Sequence, residues 1–99
     1  MEQPDTIIHQ PVRLKIMSAL KVLPPGEMIE FVRLRALVQV TDGNLGAHIG
    51  TLEESGYVEV EKDFDGKKPR TRLRLSKSGR KAFADYVSYL KDIIEASQP

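Results

Sequence analysis

Apolar residues recur at helical spacing in four stretches of the chain and alternate at strand spacing in two others. From Gln10-Pro11, a favourable helix entrance because Pro is tolerated at the first helical position, Val12, Ile16, Ala19, Leu20 and Leu23 fall on one face. Leu14 and Val22 lie outside that stripe and are free for a second contact, and Pro24-Pro25-Gly26 ends the helix in a turn. A short edge strand is predicted at 28–31, leading into a second helix over 31–38 with Phe31 or Val32, Leu34, Leu37 and Val38 as its apolar side. Thr41 suits an N-cap, its hydroxyl accepting from the backbone near Asn44, and opens a third helix to about Ser55. Leu45, Ile49 and Leu52 share the face by which that helix docks on the first two, and Gly56 permits a left-handed exit.

Residues 57–64 and 70–75 alternate around the turn Asp65-Gly66-Lys67-Lys68 and predict a hairpin. With Phe64 opposite Pro69, Val60 meets Leu73 and Val58 meets Leu75 on the buried side. The other side then pairs Asp63 with Arg70, Glu61 with Arg72 and Glu59 with Arg74. Both faces agree on one register, which neither alone would establish. Ser76 caps a last helix over 77–96, where Ala82, Phe83, Tyr86, Val87, Leu90, Ile93 and Ile94 form a broad apolar stripe. So apolar a helix projecting from so small a unit calls for a partner. The expected architecture is α+β, mainly α: a three-helix core, a two-stranded hairpin with a short third strand, and a C-terminal helix. Residues 1–99 make one domain, with an arm at 1–10, a core at 11–76 and the terminal helix at 77–96.

Charge sharpens this picture more than composition does. The 99 residues carry a net charge of only +1, yet the distribution is uneven. Residues 41–61 hold five acids and no Lys or Arg, whereas residues 62–81 hold nine basic and two acidic side chains. A near-neutral total thus hides a basic block of the kind that meets polyanions. There is no Cys, which removes disulfides and thiolate metal sites and fits a reducing cytoplasm. No signal peptide or membrane span is evident, so a cytoplasmic protein is expected. His9 and His48 stand alone without metal-ligand neighbours, and no nucleophile-elbow, phosphate-loop or dinucleotide motif occurs. Neither an enzyme nor a cofactor or metal is expected.

The chain resembles the stand-alone winged helix-turn-helix regulators related to the MarR and ArsR groups. The likeness rests on Arg13-Leu14-Lys15-Ile16-Met17, on Thr41-Asp42-Gly43-Asn44-Leu45, and on His48-Ile49 followed by Leu52-Glu53-Glu54-Ser55-Gly56-Tyr57-Val58. Gly66-Lys67-Lys68-Pro69-Arg70-Thr71 and Leu75-Ser76-Lys77-Ser78-Gly79-Arg80 complete it. It spans about residues 9–94. The resemblance implies a homodimeric transcription regulator that binds duplex DNA, with the 41–55 helix in the major groove and the 65–70 wing on the backbone or in the minor groove. Gly46 stands where relatives often carry Ser, and Gly50 where many carry a longer polar or basic residue. The Cys-containing metal box of arsenic-type sensors is absent.

Candidate contacts follow from that frame. Thr41, Asp42, Gly43, Asn44, Ala47, His48 and Thr51 are the recognition-helix candidates. Asn44, His48 and Thr51, spaced i, i+4 and i+7, form one polar stripe. Asn44 suits adenine, Thr51 a thymine methyl or phosphate, and His48 a phosphate; the bland alternative is a solvated face. On the wing, Lys67 and Lys68 have no evident local partner, and Lys62, Arg70 and Arg72 come next. Acids across the hairpin compete for the arginines, Arg74 above all, and a solvated first turn is the simpler reading of Lys77, Arg80 and Lys81. Ile7, Ile8, Leu14, Tyr86, Leu90, Ile93 and Ile94 are the dimer-interface candidates. No constellation identifies a small-molecule effector. Gly43, Gly46, Ala47 and Gly50 leave a nearly bare helix surface, which serves close approach to DNA or to another polypeptide equally well. A winged-helix protein-interaction module is therefore the rival reading.

Overall fold

The computed structural model describes residues 4–97, so the first three residues of the predicted arm and the last two of the chain lie outside the described residues. Helix α1 runs Pro11–Lys21, with Pro at its first turn and the Gln10 side chain accepting from the Arg13 N–H at 2.8 Å. Strand β1 is Ile29–Glu30, and helix α2 is Phe31–Val38. Helix α2 ends on Gln39, whose φ of 61° puts a non-glycine residue in the left-handed region and turns the chain sharply toward helix α3. Helix α3 is Asp42–Glu54, and the Thr41 hydroxyl accepts from Asn44 N–H at 3.1 Å as its sequence position predicts.

Its exit is a Schellman turn. Gly56, at φ 79°, donates to the Glu53 carbonyl at 2.9 Å, and Tyr57 N–H reaches back to Leu52 at 3.0 Å. Strands β2 (Val58–Asp65) and β3 (Lys68–Leu75) follow, and the antiparallel sheet has the order β1-β3-β2. Every predicted cross-strand pair occurs, from Phe64 opposite Pro69 to Val58 opposite Leu75. The hairpin turn is tighter than the four-residue span suggests. Asp65 pairs with Lys68, leaving Gly66 and Lys67 at the tip, and Gly66 alone of those two has a positive φ (65°), as a type II′ turn needs.

Helix α4, Lys77–Ala96, starts on Ser76, whose hydroxyl accepts from Gly79 N–H at 2.9 Å. Ser76 N–H donates to the Tyr57 carbonyl at 3.0 Å, so the start of α4 is clamped onto the junction between α3 and the hairpin. The core is contiguous: Ile16, Met17 and Leu20 from α1 meet Leu34 and Val38, Leu45, Ile49 and Leu52, the sheet residues Ile29, Val58, Leu73 and Leu75, and Phe83 from α4. None of the described helices is long and apolar enough to cross a membrane.

Several expected packing roles change. Met17, outside the predicted α1 stripe, is fully buried, whereas Val22, also placed outside it, is 81% exposed as expected. Helix α2 is too short to bury two sides, so Val32 and Leu37 face outward and only Leu34 and Val38 are core. Ile8 and Tyr86 are corrected as dimer-interface candidates. Ile8 is fully buried and Tyr86 nearly so within one chain, which leaves them almost no surface for a partner. The arm places them there. Asp5 accepts from the backbone N–H groups of Ile7 and Ile8 and from the Tyr57 hydroxyl, while His9 Nδ1 lies 2.8 Å from the Tyr86 hydroxyl.

The Asp5 contact makes a pH prediction. The hydrogen bond to Asp5, then burial, then the carboxylate charge push the Tyr57 phenol up to about 12 from its ordinary 10.0. A pKa raised in the folded state means that the contact stabilises fully below pH 10.0 and fades as pH rises toward about 12. Spectrophotometric titration should show Tyr57 ionising late, and Asp5→Asn should move that midpoint toward 10.0. Unchanged titration in Asp5→Asn would remove the arm contact from the account.

Candidate nucleic-acid interface

Helix α3 buries Leu45, Ile49 and Leu52 and turns its remaining faces outward. Thr41, Asp42, Gly43, Asn44, Gly46 and Ala47 are exposed, and His48, Gly50 and Thr51 are half-buried. The Asn44 carboxamide makes no hydrogen bond among the described residues, leaving both its donor and its acceptor free. Thr51 is less available, because its hydroxyl donates back to the Ala47 carbonyl at 3.3 Å, so its methyl is the freer end. Asp42 favours the helix N-terminus but would repel phosphate; Arg35, from the end of α2, pairs with it at 2.9 Å.

The helix lacks cations of its own, yet α1 brings one to it. Arg13 Nη1 lies 3.2 Å from His48 Nδ1, and Arg13 Nε donates to the Ile7 carbonyl. Burial first, and the Arg13 charge second, hold the His48 pKa below its ordinary value. Sequence reasoning missed this contact: the two residues are 35 positions apart, and no local spacing signals it.

Across from the glycine side of α3 stands the inner face of the hairpin. Gly46, Ile49, Gly50 and Glu53 line one wall of an open groove of about 390 Å³, and Val60, Lys62, Thr71 and Phe31 line the other. A Cβ added at Gly43, Gly46 or Gly50 would meet nothing within 4 Å, so the chain's own packing does not require these glycines.

Electrostatics divides the basic block. Arg70 grips Asp63 through two bonds of 2.9 Å, Arg72 reaches the same carboxylate at 2.9 Å and Glu61 at 3.6 Å, and Arg74 pairs with Glu59 at 2.9 Å. The Arg70 hydrogen bond comes first among the causes that hold the Asp63 carboxyl below the usual range. Asp63 thus serves two arginines, a diagonal contact that straight cross-strand pairing does not foresee. Arg74 also donates to the Gly26 carbonyl at 3.2 Å, Arg80 to that of Leu23 at 3.1 Å, and Lys81 pairs with Asp85 at 2.8 Å. Lys62, Lys67, Lys68 and Lys77 make no ion pair among the described residues and are exposed. Phe64, 66% exposed beside the wing tip, is a second residue that sequence reasoning passed over. Its signal was legible, since it lies on the same face of β2 as Val58 and Val60 but four residues beyond Val60, the last residue of the strand that packs against the core. No cluster of three or more His, Asp or Glu that could hold a metal occurs among the described residues.

An outward helix beside a hairpin whose tip lysines are unpaired is the layout of a DNA-reading head, and the winged helix DNA-binding domain family matches residues 12–94. The chain belongs to that family. It is 37% identical over 81 residues to an uncharacterized protein of Methanocaldococcus jannaschii, an alignment covering 82% of this chain and 85% of that one. Among solved structures it is similar to a transcriptional regulator homologue from Pyrococcus horikoshii, with a TM-score of 0.85, 30% identity, and coverage of 96% of this chain and 91% of that one. A MarR-family transcriptional regulator of Enterococcus faecalis shares the fold, with a TM-score of 0.72, 22% identity, and coverage of 92% and 78%. The fold is thus a MarR-like winged helix.

Proposed function

We propose that this protein is a transcription regulator that binds duplex DNA as a homodimer. Helix α3 enters the major groove, and the wing tip lies on the backbone or in the minor groove. One observation carries the reading: beside the outward-facing α3, whose glycine side shares an open groove with Lys62, the hairpin lysines Lys62, Lys67 and Lys68 make no ion pair among the described residues, while most other cations of the basic block are already engaged. Base preference then comes from Asn44 and His48, with the Thr51 methyl adding an apolar contact. Thr41, Asp42, Gly43 and Ala47 set how closely the helix seats. Nonspecific grip comes from Lys67, Lys68 and Lys62; Arg70 and Arg72 contribute little, because their acids screen them.

Dimerisation uses the apolar surface that one chain leaves uncovered. Ile93 and Ile94 are exposed on α4 and Leu90 is half-buried there, and half-buried Ile7 and Leu14 are the further residues assigned to the interface. A two-fold dimer would favour a roughly palindromic site.

The bare glycine surface favours the second reading, a protein-docking module, because nothing inside the chain accounts for it. Titration of labelled duplexes with the wild-type protein at two salt concentrations separates the two. Salt-sensitive binding is expected, and its absence on every duplex would leave protein docking as the better account. Light scattering should give twice the chain mass; a strict monomer would remove the two-fold site.

A further inference from the structure

The Arg13–His48 contact has chemistry that the DNA-binding reading does not use. A guanidinium has only N–H donors and no lone pair to offer. With Arg13 Nη1 at 3.2 Å, His48 Nδ1 must therefore be the acceptor, which leaves the imidazole proton on Nε2. A doubly protonated ring would set N–H against N–H and cation against cation. The guanidinium is held in place from behind. Its Nε donates to the Ile7 carbonyl, the Arg13 backbone N–H donates to Gln10, and Asp5 fixes the backbone of Ile7 and Ile8.

Among the described residues no acid forms an ion pair with Arg13 or His48, and the Asp5 carboxylate is engaged by the Ile7 and Ile8 N–H groups and the Tyr57 hydroxyl. Asp42 is paired with Arg35, Glu53 lines the groove on the wing side of α3, and the neighbours of His48 along its stripe are the uncharged Asn44 and Thr51.

We propose that Arg13 is a positioning residue for DNA recognition: it holds His48 as a neutral imidazole whose Nε2–H is a hydrogen-bond donor aimed at an acceptor on DNA. This rests on the reading of α3 as the recognition helix. The acceptor is a purine N7 or carbonyl oxygen at a base edge, or a phosphate oxygen, and these have the same chemistry. The arrangement lets a helix without Lys or Arg offer DNA a fixed donor, while the nearby cation is spent on orientation.

Two side-chain amides mimic the two ring nitrogens. Gln places its NH2 near Nε2, and Asn places its NH2 near Nδ1. With a duplex selected from a random pool by the wild-type protein, His48→Gln should bind within a few-fold of wild type, and His48→Asn should lose about ten-fold, the effect of one base contact. A loss confined to the selected duplex identifies a base edge. An equal loss on an unrelated duplex identifies phosphate, and either supports the proposal. In the free protein, imidazole 15N shifts should show the Nε2–H form. Arg13→Met should mix the tautomers and raise the His48 titration midpoint, which a purely structural role for Arg13 would not do.

The Nδ1–H form in wild type, no response of His48 to Arg13→Met, or equal affinities for the Asn and Gln variants would each overturn the proposal while leaving DNA binding intact. Failure of the wild type to bind any duplex would overturn the DNA reading and this proposal together.

Discussion

Gly79→Ala is expected to lower the stability of the fold by about 3 kcal/mol, the upper range for forcing atoms into a packed interior. Gly79 is buried in the first turn of α4, where a Cβ would stand 2.0 Å from the Tyr57 carbonyl oxygen and 2.8 Å from its carbon. Both are backbone atoms, so no side-chain rotation relieves the clash. The carbonyl is also fixed by the Ser76 N–H at 3.0 Å, and Gly56 beside it accepts from the Ser76 hydroxyl. Alanine is intrinsically the better helix former by about 1 kcal/mol, and here the clash outweighs that gain. In a domain of this size the loss corresponds to a melting temperature lower by roughly 15 °C. A variant melting within a degree or two of wild type would mean that α4 does not seat on the α3–hairpin junction as described.

The glycines of α3 should behave in the opposite way. Gly46→Ala and Gly50→Ala add a methyl into open space, since nothing stands within 4 Å of either Cβ. Each should therefore stabilise the free protein by up to about 1 kcal/mol through helix propensity alone. Under the DNA reading the same methyls stand between α3 and the duplex. The double variant should melt higher and yet bind a selected duplex at least about ten-fold more weakly, the equivalent of roughly one lost contact. Higher stability with undiminished affinity would show that close approach of the helix to DNA is not why the glycines are there. Lower stability would mean that the open surface is covered in the free protein, as a docked second chain would cover it.

The contrast between Gly79 and the α3 glycines also shows what could be read from the chain before its structure. Capping at Thr41, the α3 core face and the hairpin register are local patterns, and all three appear where their spacing puts them. The register was unusually secure because its apolar and charged faces demanded the same alignment. What local pattern could not reach was contact between distant segments. The seat of Gly79 on Tyr57, Arg13 beside His48, and the burial of Ile8 from the arm and of Tyr86 from α4 all depend on packing. Amphipathic stripes also overstate burial at the edges of a small core, as exposed Leu37, Val87 and Ile94 show. The candidate site was legible in its parts: a cation-poor α3 and a basic hairpin. Which cations are free emerges only from the ion pairs, because Asp63 engages two arginines at once.

The central claim is that α3 supplies specificity while the unpaired wing lysines supply most of the electrostatic grip. The most direct measurement is the salt dependence of duplex affinity for wild type and for the Lys67→Ala/Lys68→Ala variant. With three or four free cations per protomer, the wild-type dimer should show a slope of log affinity against log salt of roughly −5 to −7. The variant, lacking four charges per dimer, should flatten that slope by about 3 to 4 while keeping its preference for the selected sequence. An unchanged slope, or a wild-type slope equivalent to ten or more phosphate contacts, would contradict the account.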